Sequence, residues 1–482
     1  MHRSHNRVGL LCALLTLWAL PAHADPPNII LVVFDDATAC WFGDYTTDAA
    51  TSAFCSEAYE TPTMDALADS GVMVPVAWAQ PVCSPFRASM MTGTNPREHG
   101  VGTAADIQDF SNKPSLNAAR PNLARSLEAG GYTTYLYGKA HMAGFELGDG
   151  LATHPSALGF SFGRGSLGNL DKTSDGDVGG DGYTDWQMCN FVTGVCDTET
   201  TYATTFTIDD AELVLNNAEP WFMSIQFNAP HSPFHAPPPG LITNDEDCND
   251  IEEDDTHVCF NRAIEAADTE LGRLIAHGDY DPTDTVIIVT ADNGTPFSIA
   301  VAAESDWEAG RCKSSVGECG LWVPLIASGA GVGSGTADIL VQASTDLYAT
   351  ILDIAGIQQD ASGFNTGSFL PSLGGQEYVY RSISFWPNLQ DPALASPRSC
   401  LYAERFRFNS TTGARESHHE AMRTATHKLM RHLDDGEDPA EEFFLTSAIR
   451  EAVGDRQGLS GDDYDALVAK MDLANTGGDP CR

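Results

Sequence analysis

Three stretches of the chain are apolar with almost no interruption, Asn28–Phe34, Trp221–Phe227 and Thr285–Thr290, and a fourth, Tyr132–Tyr137, is built from aromatic and β-branched residues. Short runs of this kind without polar alternation predict strands buried on both faces, as in a parallel sheet covered by helices. Between them the period changes to that of helices. Thr61–Ala68 carries Pro62 near its start and Gly71 just beyond its end, the pattern of a capped helix. Leu123–Leu127 shows one apolar face and stops at Gly130-Gly131, and Ile208–Leu215 reads as helical. Phe260–Ile275 places Ile264, Ala267, Leu271 and Leu274 on one side, and Thr345–Leu352 reads as a core helix. Strands alternating with helices in this way predict an α/β domain.

The polar residues that matter stand where the apolar runs stop. The first run ends in Asp35-Asp36, the second in Asn228-Ala229-Pro230-His231-Ser232-Pro233, and the last in Ala291-Asp292-Asn293-Gly294. Open α/β sheets bind ligands beyond the carboxyl ends of their strands. Carboxylates and an amide gathered there form an all-oxygen set suited to Ca²⁺, with Mg²⁺ as the alternative. Prolines on both sides stiffen the backbone around His231 and favour it over the nearby His235. The strand over 132–137 leads into Gly138-Lys139-Ala140-His141, where i, i+2 spacing on extended chain would turn an ammonium and an imidazole into one pocket.

Residues 142–200 are rich in Gly, Asp and Ser and show no period, so they read as long loops or an insertion. Within them Asp171–Asp185 reads as solvated turns in preference to a calcium loop. The tail beyond residue 375 predicts a helix over Ala440–Val453.

Composition sets the compartment and excludes partners. Arg3 and Arg7 precede the apolar run Val8–Leu20, and Ala22-His23-Ala24 supplies small residues for cleavage, so residues 1–24 read as a secretory signal. The apolar run is shorter than the roughly 20 residues needed to span a bilayer, and the residue before Cys12 does not suit a lipoprotein signal. The expectation is a secreted or periplasmic protein without a membrane anchor. The net charge of −41, from 67 acidic against 26 basic residues, argues against nucleic acid as a partner. Setting aside Cys12 and Cys83 leaves ten cysteines that can pair completely. Four pairs are close in sequence (Cys40 with Cys55, Cys189 with Cys196, Cys248 with Cys259, Cys312 with Cys319), and Cys400 with Cys481 would tie down the C-terminus. Buried free thiols are the alternative, since connectivity does not follow from sequence. Of two N-glycosylation sequons, Asn409-Ser410-Thr411 is the credible one, because Asn293-Gly294-Thr295 would put a sugar on a candidate metal ligand.

Cys83-Ser84-Pro85-Phe86-Arg87 combines a nucleophile precursor, a proline and a cation where a loop should turn into a helix. There residue 83 would sit at a helix N-terminus, with Arg87 one turn on. A disulfide cysteine beside a turn is the plainer reading of these five residues alone. Continued through Ala88-Ser89-Met90-Met91-Thr92-Gly93 and Asn95-Pro96-Arg97-Glu98-His99-Gly100, the run resembles the signature of the sulfatases, the formylglycine-dependent members of the alkaline phosphatase superfamily.

The resemblance implies a large mixed, mostly parallel sheet flanked by helices over residues 25–374, and a smaller C-terminal α+β subdomain over 375–482 with an antiparallel sheet and a packed helix. It implies that Cys83 is oxidised to formylglycine by a formylglycine-generating enzyme, and that a bound cation is held by Asp35, Asp36, Asp292, Asn293 and residue 83. It also implies sulfate-ester hydrolysis aided by Arg87, Lys139, His141, His231 and Lys313. Two departures stand out. Ala140 occupies a position that is usually tryptophan, and around Glu318 one of two usual glycines and the usual arginine are replaced by Cys319 and Trp322. Trp322 reads as a packed core residue in preference to a substrate contact. Related enzymes with the same modified residue cleave phosphonates or phosphate diesters, and a catalytically silent binder of sulfated glycans is the alternative from another class.

Overall fold

The computed structural model describes residues 26–47, 51, 55, 60–105, 115–143, 154–170, 182–218, 220–243, 248, 256–303, 310–357, 380–408, 415–434, 440–445, 457–458, 460–475 and 481. The expected signal at 1–24, the sequon at 409–411 and most of the turns at 171–185 lie outside them.

The apolar runs become the centre of a ten-stranded mixed sheet. In spatial order its strands are Gly335–Thr336, Val72–Met73, Leu325–Gly329, Thr285–Ala291, Asn28–Phe34, Trp221–Gln226, Thr133–Gly138, Phe162–Gly165, Trp186–Asn190 and Cys196–Glu199. The five from Thr285–Ala291 to Phe162–Gly165 are parallel, and both of their flanking neighbours are antiparallel. Every residue of Asn28–Phe34, Trp221–Gln226 and Thr285–Ala291 is buried, which is why these strands lack polar alternation. The register aligns Phe34 with Ala291 and Val33 with Gln226, so the polar residues that follow emerge on one edge of the sheet.

The predicted helices form with small shifts, as Pro62–Ser70, Leu123–Ala129, Ala203–Glu212, Thr256–Ile275 and Ala343–Ile354. The aperiodic 142–200 region, expected to be loop, also supplies the last three strands of the sheet. These strands are only four or five residues long, and one of them depends on glycine: a Cβ on Gly165 would lie 1.9 Å from the Gly138 carbonyl oxygen.

A four-stranded antiparallel sheet, Leu401–Phe408, Arg415–Arg423, His427–Asp434 and Ala440–Leu445, forms the C-terminal part. The helix expected at Ala440–Val453 is corrected here. Residues 440–445 are a strand, 446–453 fall outside the described residues, and the helix is Asp462–Asn475. The reason is two-sided burial. Phe444 packs with Ala403, Ala421 and Met430 against Trp78, Val316 and Leu321, whereas Phe443 packs with Tyr402 and Leu429 against Leu467 and Met471 of the last helix. Adjacent phenylalanines facing opposite layers need a strand.

The ten paired cysteines form Cys40–Cys55, Cys189–Cys196, Cys248–Cys259, Cys312–Cys319 and Cys400–Cys481. Cys83 is the free thiol among the described residues.

Candidate active site

The helix Cys83–Thr92 begins at Cys83 and is buried along its whole length. Burial first, with Asp35 and Asp292 adding to it, pushes the Cys83 thiol up to about 12 against the pull of Lys139 and Lys313. One turn on, Arg87 is inside the protein, where its guanidinium donates from Nε (3.2 Å) and Nη2 (2.8 Å) to Asp292 Oδ2. Its Nη1 donates to the Lys139 carbonyl at 2.8 Å and to Gln226 Oε1 at 2.7 Å. Four elements are thereby locked around one guanidinium, in the geometry that arginine serves better than lysine.

Asp35 and Asp36 leave the Asn28–Phe34 strand in different directions, because Asp36 adopts φ 73°. The Asp36 N–H donates to Asp292 Oδ1 at 3.1 Å. Asn293 Nδ2 donates to Asp36 Oδ1 at 2.7 Å, Lys139 Nζ donates to Asp35 Oδ2, and Lys313 Nζ donates to Asp36 Oδ2. Ligand atoms of Asp35, Asp36 and His231 lie within 4.8 Å of one another, and so do those of Asp35, Cys83 and Asp292. Burial would raise the Asp35 carboxyl, but Lys139, His231, Arg87 and Lys313 together hold it well below the usual range. Asp292 goes the other way, pushed up to about 7 by burial and then by Asp35.

Two buried oxygens in this cluster, Asp35 Oδ1 and Asn293 Oδ1, accept no hydrogen bond. An unpartnered carboxylate oxygen and an unpartnered amide oxygen beside two more carboxylates fit a hard cation. Three carboxylates face three cationic side chains here, so a dication would leave the pocket positive inside a chain of net charge −41.

His231 is buried, with Nε2 3.8 Å from Asp36 Oδ2 and Nδ1 2.9 Å from the Ser232 carbonyl. That carbonyl accepts, so Nδ1 carries hydrogen and Nε2 is the atom free to exchange a proton. Burial, then Lys313, lower its pKa. The competitor His235 is placed elsewhere, stacked 4.0 Å from the Tyr183 ring and 3.0 Å from the Tyr202 hydroxyl. Tyr183 donates to the carbonyls of Asn228 and His231, both at 2.7 Å, so this aromatic group braces the His231 turn from behind.

The spacing expected to turn Lys139 and His141 the same way is not realised as a strand. The strand ends at Gly138, and His141 has φ 39°. His141 is buried, and its position is set by its N–H on the Leu167 carbonyl at 2.9 Å. Trp322 is fully buried, donates to the Pro75 carbonyl at 2.9 Å and meets Tyr45 edge-on, as a core residue does. The Cys312–Cys319 bridge closes the loop that carries Lys313. Gln226 went unnoticed in the sequence, although a glutamine ending an apolar strand is a signal of the same kind as Asp35.

The match to a known family follows this geometry. A family model described as Sulfatase matches residues 27–357. The chain belongs to the sulfatase family and is by class a sulfuric ester hydrolase. It is 26% identical over 402 residues to the N-acetylgalactosamine-6-sulfatase of Mus musculus, covering 78% of this chain and 72% of that one. It is 25% identical over 406 residues to the N-acetylglucosamine-6-sulfatase of Capra hircus, covering 74% and 65%. Among solved structures, a protein in complex with its substrate D-glucosamine-2-N,6-O-disulfate aligns with TM-score 0.65 and 18% identity over 94% of this chain and 98% of that one.

Proposed function

We propose that this is an exported sulfatase that hydrolyses a carbohydrate sulfate ester through a formylglycine made from Cys83, with a divalent cation, Ca²⁺ or in its place Mg²⁺, beside it. The observation that carries the reading is the buried Cys83 at the first turn of its helix, within 4.8 Å of Asp35 and Asp292 ligand atoms, next to two oxygens without donors. The names of the hexosamine-6-sulfatase relatives support a sugar leaving group. The five disulfides support maturation in an oxidising compartment, secreted or periplasmic, and no helix among the described residues is long and apolar enough to cross a membrane.

Asp35, Asp36, Asp292, Asn293 and residue 83 would hold the cation, whose chemistry is to neutralise sulfate oxygens and acidify a ligated hydroxyl. Oxidised to the aldehyde and hydrated, residue 83 offers one hydroxyl to attack sulfur and a second whose deprotonation releases sulfate. Arg87 is committed to Asp292, Gln226 and the Lys139 carbonyl, so its part is to fix the Asp292 carboxylate and the start of the helix. Lys139 and Lys313, held on Asp35 and Asp36 before substrate arrives, would supply positive charge to the sulfate. His231, exchanging a proton at Nε2, protonates the departing alcohol oxygen with Lys313 beside it. His141 takes the proton from the second hydroxyl.

The test is peptide mass spectrometry across Cys83 of protein made in a host with a formylglycine-generating enzyme, followed by a panel of sulfate, phosphate and phosphonate esters. Loss of thiol mass with sulfate-selective turnover supports the reading. Unmodified Cys83 without turnover overturns it in favour of a silent glycan binder.

A further inference from the structure

Nearly every buried arginine in this acid-rich chain is matched to a carboxylate: Arg87 to Asp292, Arg97 to Glu404, Arg311 to Glu442, Arg381 to Glu98, Arg398 to Asp346 and Arg423 to Glu318. Arg405 breaks the rule. Its Nη1 donates to the Ser314 carbonyl at 2.6 Å, its Nε is buried and donates to nothing, and no carboxylate faces it among the described residues. Burial first, and the positive charge of Arg407 second, lower its pKa to about 10. Its cross-strand partner is His419 and that of Arg407 is Ser417, neither of them an acid.

The place of this pair is fixed by two tethers. Ser314, which accepts from Arg405, follows Lys313 and donates its own N–H to the Pro81 carbonyl, two residues before Cys83. On the other side Phe406 N–H donates to the Gly102 carbonyl, in the segment where Ala105 N–H is held by Ser84 Oγ. The end of the Leu401–Phe408 strand thus abuts both loops that frame the nucleophile. Arg405 and Arg407 stand on one side of it, Arg405 half-buried and Arg407 exposed. Two adjacent cations without a counter-charge among the described residues, in a chain of net charge −41, are electrostatically costly unless an anion completes them.

We propose that Arg405, supported by Arg407, is a specificity residue that binds a second anionic group of the substrate, a carboxylate or a further sulfate on the saccharide that carries the scissile ester. A planar guanidinium with a free Nε–H suits such an oxyanion. The proposal rests on the sulfate-ester reading above and narrows it to saccharides bearing more than one negative charge.

Binding separates the two claims. Full-length Cys83→Ala protein, which cannot turn over, is titrated calorimetrically with a sulfated hexosamine and with a disaccharide in which the same sugar is joined to a uronate. The expected result is that the uronate-containing ligand binds at least about tenfold tighter, a preference that shrinks as salt screens it. Added Arg405→Ala removes the preference, and Arg407→Ala, at an exposed position that tolerates change, reduces it. Equal affinity for the two ligands, or equal loss on both in the Arg405→Ala protein, overturns the proposal and leaves Arg405 as a tether for the Ser314 loop. Should the unmutated, modified enzyme fail to cleave either ester while the preference persists, the hydrolase reading falls and the anion site stands.

Discussion

Two buried charge clusters lie near the two ends of the Cys83–Gly100 segment, one around Arg87 and one around Arg97, and they are finished to different degrees. In the C-terminal one, all four oxygens of Glu404 and Glu420 accept hydrogen bonds, from Arg97, Arg431, His418, Tyr402 and Asn475. In the strand-end cluster, Asp35 Oδ1 and Asn293 Oδ1 accept none, and Asp292 is held above its ordinary range. A saturated network fixes one part of a protein against another, here the Pro96–His99 turn against the C-terminal sheet. An unsaturated one is held open at a cost in stability, and that cost has an explanation only if something binds there.

The contrast breaks most sharply at Asp292. Asp292→Asn keeps the shape but removes the charge that holds Arg87 and a carboxylate offered to the cation, so turnover should fall about a thousandfold. Metal content, measured after dialysis against a weak chelator, should fall with it while the fold persists. Turnover near that of the parent protein with the cation lost would detach the ion from the chemistry. Next in size is His231→Ala. A lost proton donor costs about a hundredfold on an alkyl or sugar sulfate, and much less on an aryl sulfate whose leaving group needs no proton. An equal loss on both substrates would remove His231 from the leaving-group side.

The saturated cluster predicts the opposite phenotype. Burial would raise Glu404, but Arg97 and His418 outweigh it and lower the carboxyl to about 2. A carboxylate with a depressed folded-state pKa contributes stability that is complete above its unfolded value of about 4.5 and is lost as pH falls towards 2. Glu404→Gln should therefore destabilise by about 3 kcal/mol at neutral pH, since it leaves Arg97 with Glu420 alone as counter-charge among the described residues, and should flatten the acid limb of the stability curve. Denaturant midpoints across that pH window, set beside the activity of the folded fraction, provide the check. A large loss of turnover per folded molecule would mean that this network also serves the site.

How much of this was legible in the sequence follows the same division. The strand ends announced themselves because Asp35, Asp36, Asp292 and Asn293 interrupt apolar runs, and because Cys83 to Gly100 form one contiguous signature. The saturated network did not, because Arg97, Glu404, Glu420 and Arg431 come from distant segments and only packing brings them together. The same blindness turned Ala440–Leu445 into a helix, since nothing local reveals that Phe443 and Phe444 serve different layers. The alternation expected through His141 ends for a local reason: the strand stops at Gly138 and His141 has φ 39°. The charge of Arg405, without a carboxylate among the described residues, shows only once Arg87, Arg311, Arg381, Arg398 and Arg423 have each found an acid.

Removing a bridge probes the boundary between the two kinds of cluster. A double Cys312→Ser, Cys319→Ser variant should lose about 2 kcal/mol of stability, as expected for a short loop. It should also lose turnover, because Lys313 rides on that loop and its ammonium reaches Asp36.

The smallest expected effect is at His235, and it discriminates between the two histidines. His235 stacks on Tyr183, whose hydroxyl holds the Asn228 and His231 carbonyls, so it acts on the site through that ring. A stacked pair contributes about 0.5–1 kcal/mol beyond its burial, and His235→Ala should therefore change turnover by only a fewfold. The change should be the same on sugar and aryl sulfates, because a looser His231 turn misplaces the imidazole without removing it. His235→Phe, which keeps a ring against Tyr183, should restore most of the loss. If His235→Ala instead shows the leaving-group dependence expected of His231→Ala, the proton would pass through His235, and the brace described here would be part of a relay.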